Sequence, residues 1–137
     1  MTLYLDTSSI VKLYVDETGT DRVQHLVEAA DVVVTSVVAY AEMRAALARL
    51  RRERLLSPAS FAAAKRRFEE DWPAYLALEV TDALSRAAGQ LAETFHLRGF
   101  DSLHLASFVE ILSRAGNADV HFSSFDDRLN RAARRLA

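Results

Sequence analysis

The chain predicts an α/β domain with a central, mostly parallel sheet. Two observations carry this: short apolar runs alternate with longer helical stretches along the whole length, and no repeat, low-complexity tract or linker interrupts them. Parallel neighbours need crossover helices, so the alternation argues for a parallel sheet rather than for hairpins.

The elements follow in order. Leu3-Tyr4-Leu5, ending at Asp6, has the length and aromatic content of a buried strand. Ile10, Val11, Leu13 and Tyr14 suggest a short helix, and Asp21 to Ala30 a second with Val23, Leu26 and Val27 inward. Val32-Val33-Val34 is β-branched throughout and reads as a strand buried on both faces. From Val37 to Leu55 the Ala, Leu, Met and Arg content predicts a long helix. Ser57-Pro58 opens another, with Ser57 as N-cap and Pro58 at the first helical position, so two long helices pair back to back. Leu76 to Val80 is a weaker third strand. Thr81 or Asp82 caps a helix running to about His96, and Gly99 breaks the pattern. A helix from near Asp101 to Ser113, a strand from Asp119 to Ser123 and an Arg-rich helix from Asp126 to Leu136 complete the chain.

Its 137 residues fit one domain, 1–137, and half of them are hydrophobic with 26% charged, the balance of a globular protein. No apolar run approaches the roughly 18 residues of a membrane span, and the opening residues lack a signal peptide's basic and apolar regions. No membrane partner and a cytoplasmic location are expected. Cysteine is absent, which excludes disulfides, thiolate-bound zinc and a cysteine nucleophile. A net charge of -2 argues against nucleic-acid binding by bulk charge, so any such contact must be local. Three basic clusters, Arg49/Arg51/Arg52/Arg54, Lys65/Arg66/Arg67 and Arg128/Arg131/Arg134/Arg135, read first as solvated helix faces.

In open parallel sheets ligands gather beyond the carboxyl ends of the strands, and the unusual acids fall there. Asp6 directly follows the first strand and serves either as a helix cap or as a functional group. Glu42 has Val38, Ala39, Ala45 and Ala46 as helical neighbours, which places it on a buried stripe; there it needs a cation or an arginine partner. Asp101 opens an otherwise apolar helix, where capping explains its position but not why it shares a face with His104 three residues on. Asp126 and Asp127 follow the fourth strand, and one of them caps the last helix.

Four acids at one end of a sheet repel one another unless a cation neutralises them, which predicts a divalent metal. Oxygen ligands favour magnesium or manganese, ions suited to phosphate substrates and water activation. Other chemistries lack their residues: there is no Gly-rich phosphate loop, no G-x-S-x-G elbow and no histidine pair at zinc spacing. His25, His96 and His121 read as ordinary surface or half-buried groups, and His104 as packing beside the site.

Four segments carry a resemblance. Leu5-Asp6-Thr7-Ser8-Ser9-Ile10-Val11-Lys12-Leu13-Tyr14, Thr35-Ser36-Val37 through Ala41-Glu42, Phe100-Asp101-Ser102-Leu103-His104-Leu105-Ala106 and Phe122-Ser123-Ser124-Phe125-Asp126 resemble the signature blocks of PIN domains, in particular those of VapC toxins. The resemblance spans nearly the whole chain, in order and at family-like spacing. It implies a three-layer α/β/α fold with strand order 3-2-1-4. It makes Asp6, Glu42 and Asp101 the metal-holding acidic core and Asp126 the fourth catalytic acid, with Ser8 and Ser124 as substrate-positioning hydroxyls. It further implies hydrolysis of single-stranded or looped RNA with magnesium or manganese, a VapB-like antitoxin partner and a homodimer. Family members usually add a fifth edge strand, whereas this chain stops at Arg135-Leu136-Ala137, so four strands are expected and a fifth is left open. Two rival readings remain: a non-catalytic binding module on the same fold, which a missing acid would have favoured, and a DNA-directed nuclease, which these residues do not separate from an RNA-directed one.

Overall fold

The computed structural model describes residues 1–116 and 118–137. Four strands, β1 (Thr2–Leu5), β2 (Val32–Ser36), β3 (Leu76–Leu78) and β4 (Val120–Ser123), form one sheet in the order β3-β2-β1-β4. Every pairing is parallel. The helices are α1 (Thr7–Tyr14), α2 (Thr20–Ala29), α3 (Val38–Arg52), α4 (Pro58–Asp71), α5 (Asp82–Phe95), α6 (Gly99–Ala115) and α7 (Asp127–Leu136), with a single 3-10 turn at Trp72–Ala74. None is long and apolar enough to cross a membrane among the described residues. No fifth strand occurs among them either.

The two-residue period of β1 builds the three layers. Leu3 and Leu5 face one side, where Ile10 of α1, Val23 of α2, Met43 and Leu47 of α3 and Phe68 of α4 close over them. Tyr4 faces the other side and packs with Val34 of β2, Leu105 and Phe108 of α6 and Leu129 of α7. Helix α5 lies outside α6, joined through Leu84, Ala88 and Ala106. All strands run the same way, so their carboxyl ends open on one rim.

Several boundaries differ from the sequence reading. Val32 is 43% exposed, because β3 pairs with β2 only from Val34 onward and leaves the start of β2 uncovered. Strand β3 stops at Leu78, whose carbonyl accepts the Val37 N–H as the two chains part. Helix α3 ends at Arg52, since Arg54 turns left-handed (φ 60°), which leaves Leu55 exposed. The chain reverses at His96, the left-handed C-cap of α5, not at Gly99. Gly99 is instead the first residue of α6, so Asp101 lies inside the first turn and is not its cap. Ser57, Thr81 and Asp126 cap as their positions predict, each accepting an N–H three residues on.

Gly19, the N-cap of α2, has φ +97°, and a Cβ there would meet the Phe125 ring at 2.6 Å. The ring is partly exposed and can swing aside, so most of the cost lies in the backbone. Gly19→Ala is expected to destabilise the fold by about 1–2 kcal/mol. A denaturant titration would read this as a lower midpoint.

Candidate active site

Asp6 ends β1 at the rim and is 4% exposed. It is both cap and cleft residue. Its Oδ1 accepts the Ser9 N–H at 3.0 Å, capping α1, and the Ser8 hydroxyl at 2.7 Å, while Oδ2 accepts the Ser124 hydroxyl at 2.6 Å. Burial pushes the carboxyl above its ordinary pKa, partly offset by hydrogen bonds from Ser124, Ser8 and the Ser9 amide.

Ser8 and Ser124 are thereby spoken for. Ser8 Oγ accepts the Phe125 N–H and donates to Asp6, and Ser124 Oγ accepts the Asp126 N–H and donates to Asp6. A hydroxyl has one proton to give, so both point at Asp6 rather than outward.

Glu42 does not lie on the buried stripe of α3, which is Ala39, Met43 and Leu47. It sits at the stripe's edge with its side chain 25% exposed. Its small neighbours Ala45 and Ala46 line the cleft, which explains an apolar environment without full burial. Glu42 Oε1 accepts the Thr7 hydroxyl at 2.7 Å and meets His104 Nε2 at 2.8 Å. Desolvation works against its charge, but the bonds from His104 and Thr7 outweigh it and hold the carboxyl below its usual pKa. The sequence reading expected a cation or an arginine partner, and the partner is a buried histidine.

Asp101 Oδ2 accepts from Arg98 Nε at 3.2 Å. Asp126 Oδ1 caps α7 through the Leu129 N–H at 2.8 Å, so of the Asp126/Asp127 pair it is Asp126 that caps. The fold brings all four acids to one cleft of about 500 Å³, together with Thr7, Ser8, His104, Arg49, Arg52 and Arg98. An adjoining groove of about 410 Å³ is shared by Asp101 and Asp126 with Arg128 and Arg131. Arginines from two of the basic clusters therefore stand beside the acids and are not solvated helix faces alone.

Three site residues escaped the sequence reading in whole or part. Thr7 has no periodic signal and is found only once Glu42 is opposite it. Arg98 lies in a segment read as a break. His104 was visible as a polar residue on an apolar helix, but its partner is Glu42 rather than Asp101.

The donor set fits a hard divalent cation, being carboxylate oxygens in an open, arginine-edged cleft. The side chains as placed do not converge on one point: among the described residues no three acid or histidine groups are gathered closely enough to hold an ion. Asp101 is turned to Arg98, and the Asp6 oxygens to serine hydroxyls. Binding thus requires side-chain rotation, above all release of Asp101 by Arg98. This suits magnesium, which keeps several of its waters and relies partly on substrate phosphates.

Comparison with known proteins agrees with this architecture. The family model described as PIN domain matches residues 3–135. Two Mycobacterium tuberculosis proteins, ribonuclease VapC45 and ribonuclease VapC49, are each 36% identical over 131 residues, covering 96% of this chain and 88% of theirs. The crystal structure of M. tuberculosis VapC20, a sarcin-ricin loop cleaving toxin, superposes with a TM-score of 0.66 at 18% identity, covering 95% of this chain and 94% of that one. At that identity it speaks for the fold alone. With nearly every residue matched by the family model and the acidic rim in place, the chain belongs to the PIN domain family, among the VapC ribonucleases.

Proposed function

We propose that this chain is the toxin of a VapBC-type pair, an endoribonuclease that hydrolyses RNA phosphodiester bonds in the cytoplasm with magnesium or manganese as cofactor. The observation that carries the chemistry is the single cleft holding Asp6, Glu42, Asp101 and Asp126 with arginines on its rim. Kinship with two VapC ribonucleases supports RNA as substrate and a VapB-like antitoxin as partner. A homodimer is part of the same reading.

Asp6, Asp101 and Glu42 would hold the metal, with Asp126 beside them. When bound, the metal supplies Lewis acidity to the phosphate and a hydroxide at neutral pH. Ser8 and Ser124 keep the Asp6 oxygens fixed in direction. Glu42 stays ionised through its bonds to Thr7 and His104. Arg49, Arg52 and Arg98 bind phosphate oxygens, contacts that place the strand without reading its sequence. Arg98 has a second part: engaged with a phosphate, it gives up Asp101. Choice of target then rests on bases splayed out of a loop, the usual way proteins read RNA sequence.

The test is expression in a host. Inducing the chain alone should slow growth, and co-expressing its cognate antitoxin should restore it. Equal arrest by wild type and by an Asp101→Asn variant at equal protein level would move the reading to a binding module. Degradation of DNA rather than RNA in the arrested cells would move it to a DNA-directed nuclease.

The metal should bind weakly in the absence of RNA. Titration calorimetry should show feeble magnesium binding, and tight zinc binding lost in His104→Ala would contradict the carboxylate assignment.

A further inference from the structure

A histidine that is 1% exposed at the base of an acidic cleft could be simple core packing, and its edge-on contact with the Tyr4 ring is consistent with that. Its hydrogen bonds say more. His104 Nδ1 lies 2.9 Å from the Tyr4 hydroxyl, and Nε2 lies 2.8 Å from Glu42 Oε1 and 3.2 Å from Thr7 Oγ1. Both ring nitrogens are engaged, so tautomer and orientation are set from both ends.

The donor assignments close in one way. Thr7 gives its proton to Glu42 Oε1 at 2.7 Å, so toward His104 it can only accept. A bare Nε2 lone pair would then face a carboxylate and a hydroxyl oxygen with no proton between them. Nε2 must carry hydrogen, shared between Glu42 and Thr7. At the other end the Tyr4 hydroxyl is fully buried, and Nδ1 is the partner it has for its proton. Nδ1 therefore accepts, and His104 is the neutral Nε2–H tautomer.

Thr7 and His104 both bond Oε1, and no bond to Oε2 is seen among the described residues. The half-exposed carboxylate is thus clamped by one oxygen and offers the other to the cleft. The three members come from different layers: Thr7 from the first turn of α1, Glu42 from α3 and His104 from α6, with Tyr4 of β1 behind. The clamp forms only when both helix layers are docked on the sheet.

We propose that His104 and Thr7 are a positioning pair for Glu42, in which Tyr4 fixes the His104 tautomer so that one carboxylate oxygen is held and the other is directed into the cleft. This rests on the ribonuclease reading for its kinetic consequence, but not for its geometry. Partners that orient a metal-holding or reacting group typically account for a ~10–100-fold change when removed. The pair lies away from the rim arginines, so the loss should fall on kcat and leave KM for RNA unchanged.

The experiment has two arms. The first is 15N NMR of the His104 ring in the wild-type chain at neutral pH: a pyridine-type Nδ1 and a pyrrole-type Nε2 are expected, and the reverse pattern overturns the proposal. In Glu42→Gln the Nε2–H resonance should move, and an unmoved resonance counts against the clamp. The second arm is cleavage of a loop RNA. Thr7→Val should lower kcat ~10–100-fold at unchanged KM while Thr7→Ser keeps activity near wild type. His104→Gln, which keeps an N–H at similar reach, should recover most of what His104→Leu loses. Equal kcat in Thr7→Val and wild type overturns the proposal, as does equal loss in the Gln and Leu variants when both are folded. If His104→Leu does not fold, the Thr7 pair decides, since Thr7 is only half-buried. An inactive wild-type chain would defeat the ribonuclease reading, and the NMR arm would then judge the clamp by itself.

Discussion

Asp6→Asn is expected to reduce RNA cleavage by more than ~100-fold, beyond the range for groups that only orient a ligand, without lowering the melting temperature at neutral pH. The two halves have one cause. Asp6 is buried with its pKa raised, so above that pKa its charge opposes folding. The stabilisation linked to its raised pKa is fully present below the unfolded value and is lost as pH rises through the folded one. Asparagine carries no charge to desolvate and caps a helix about as well as aspartate, so the Ser9 N–H keeps an acceptor. The variant should melt at or above wild type at pH 7, and the gap should narrow as pH falls into the ordinary carboxylate range. Melting curves across that range beside a cleavage assay check both halves. A large drop in melting temperature at pH 7 would mean that Asp6 is chiefly structural.

The largest stability effect is expected for Phe108→Ala, a loss of about 3–5 kcal/mol. Phe108 is 1% exposed at the centre of the α6 side of the sheet, with its ring 4.8 Å from Phe122 and 6.2 Å from Tyr4. Domains are stable by only about 5–15 kcal/mol, so much of the total is at stake, and the melting temperature should fall by roughly 10 °C or more. Tyr4 also holds His104, and residual activity at low temperature should fall along with packing. A denaturant midpoint within error of wild type would show that the cavity collapses or that this layer is not the core.

The sheet and the acidic rim were legible because both depend on local pattern. Alternation placed Leu3, Tyr4 and Leu5, and the parallel order put every strand end, hence Asp6 and Asp126, on one side. Caps at Ser57, Thr81 and Asp126 were legible for the same reason, since each serves an N–H three residues away. What was missed depends on tertiary neighbours. Val32 carries a strand pattern but no covering partner. Glu42 has small neighbours because they border a cleft, not because they are buried beneath one. Thr7 meets residues 35 and 97 positions distant, and no periodicity connects them. Gly99 was read as a break because glycine disfavours helix interiors, yet at the first helical position that penalty is small, and the turn falls on His96. The cation that four clustered acids seemed to demand is supplied in part by Arg98, with Asp6 favouring its protonated form.

The central claim is that these carboxylates cut RNA, and the most direct test is cleavage of an end-labelled loop RNA by the purified chain. Wild type and Asp101→Asn would be compared with magnesium, with manganese and with excess chelator, beside a DNA of the same sequence. The account predicts cleavage of the RNA by wild type with either metal, leaving a 5′-phosphate and a 3′-hydroxyl, and none with chelator or with Asp101→Asn. Undiminished cleavage by Asp101→Asn, or by wild type in excess chelator, would contradict it.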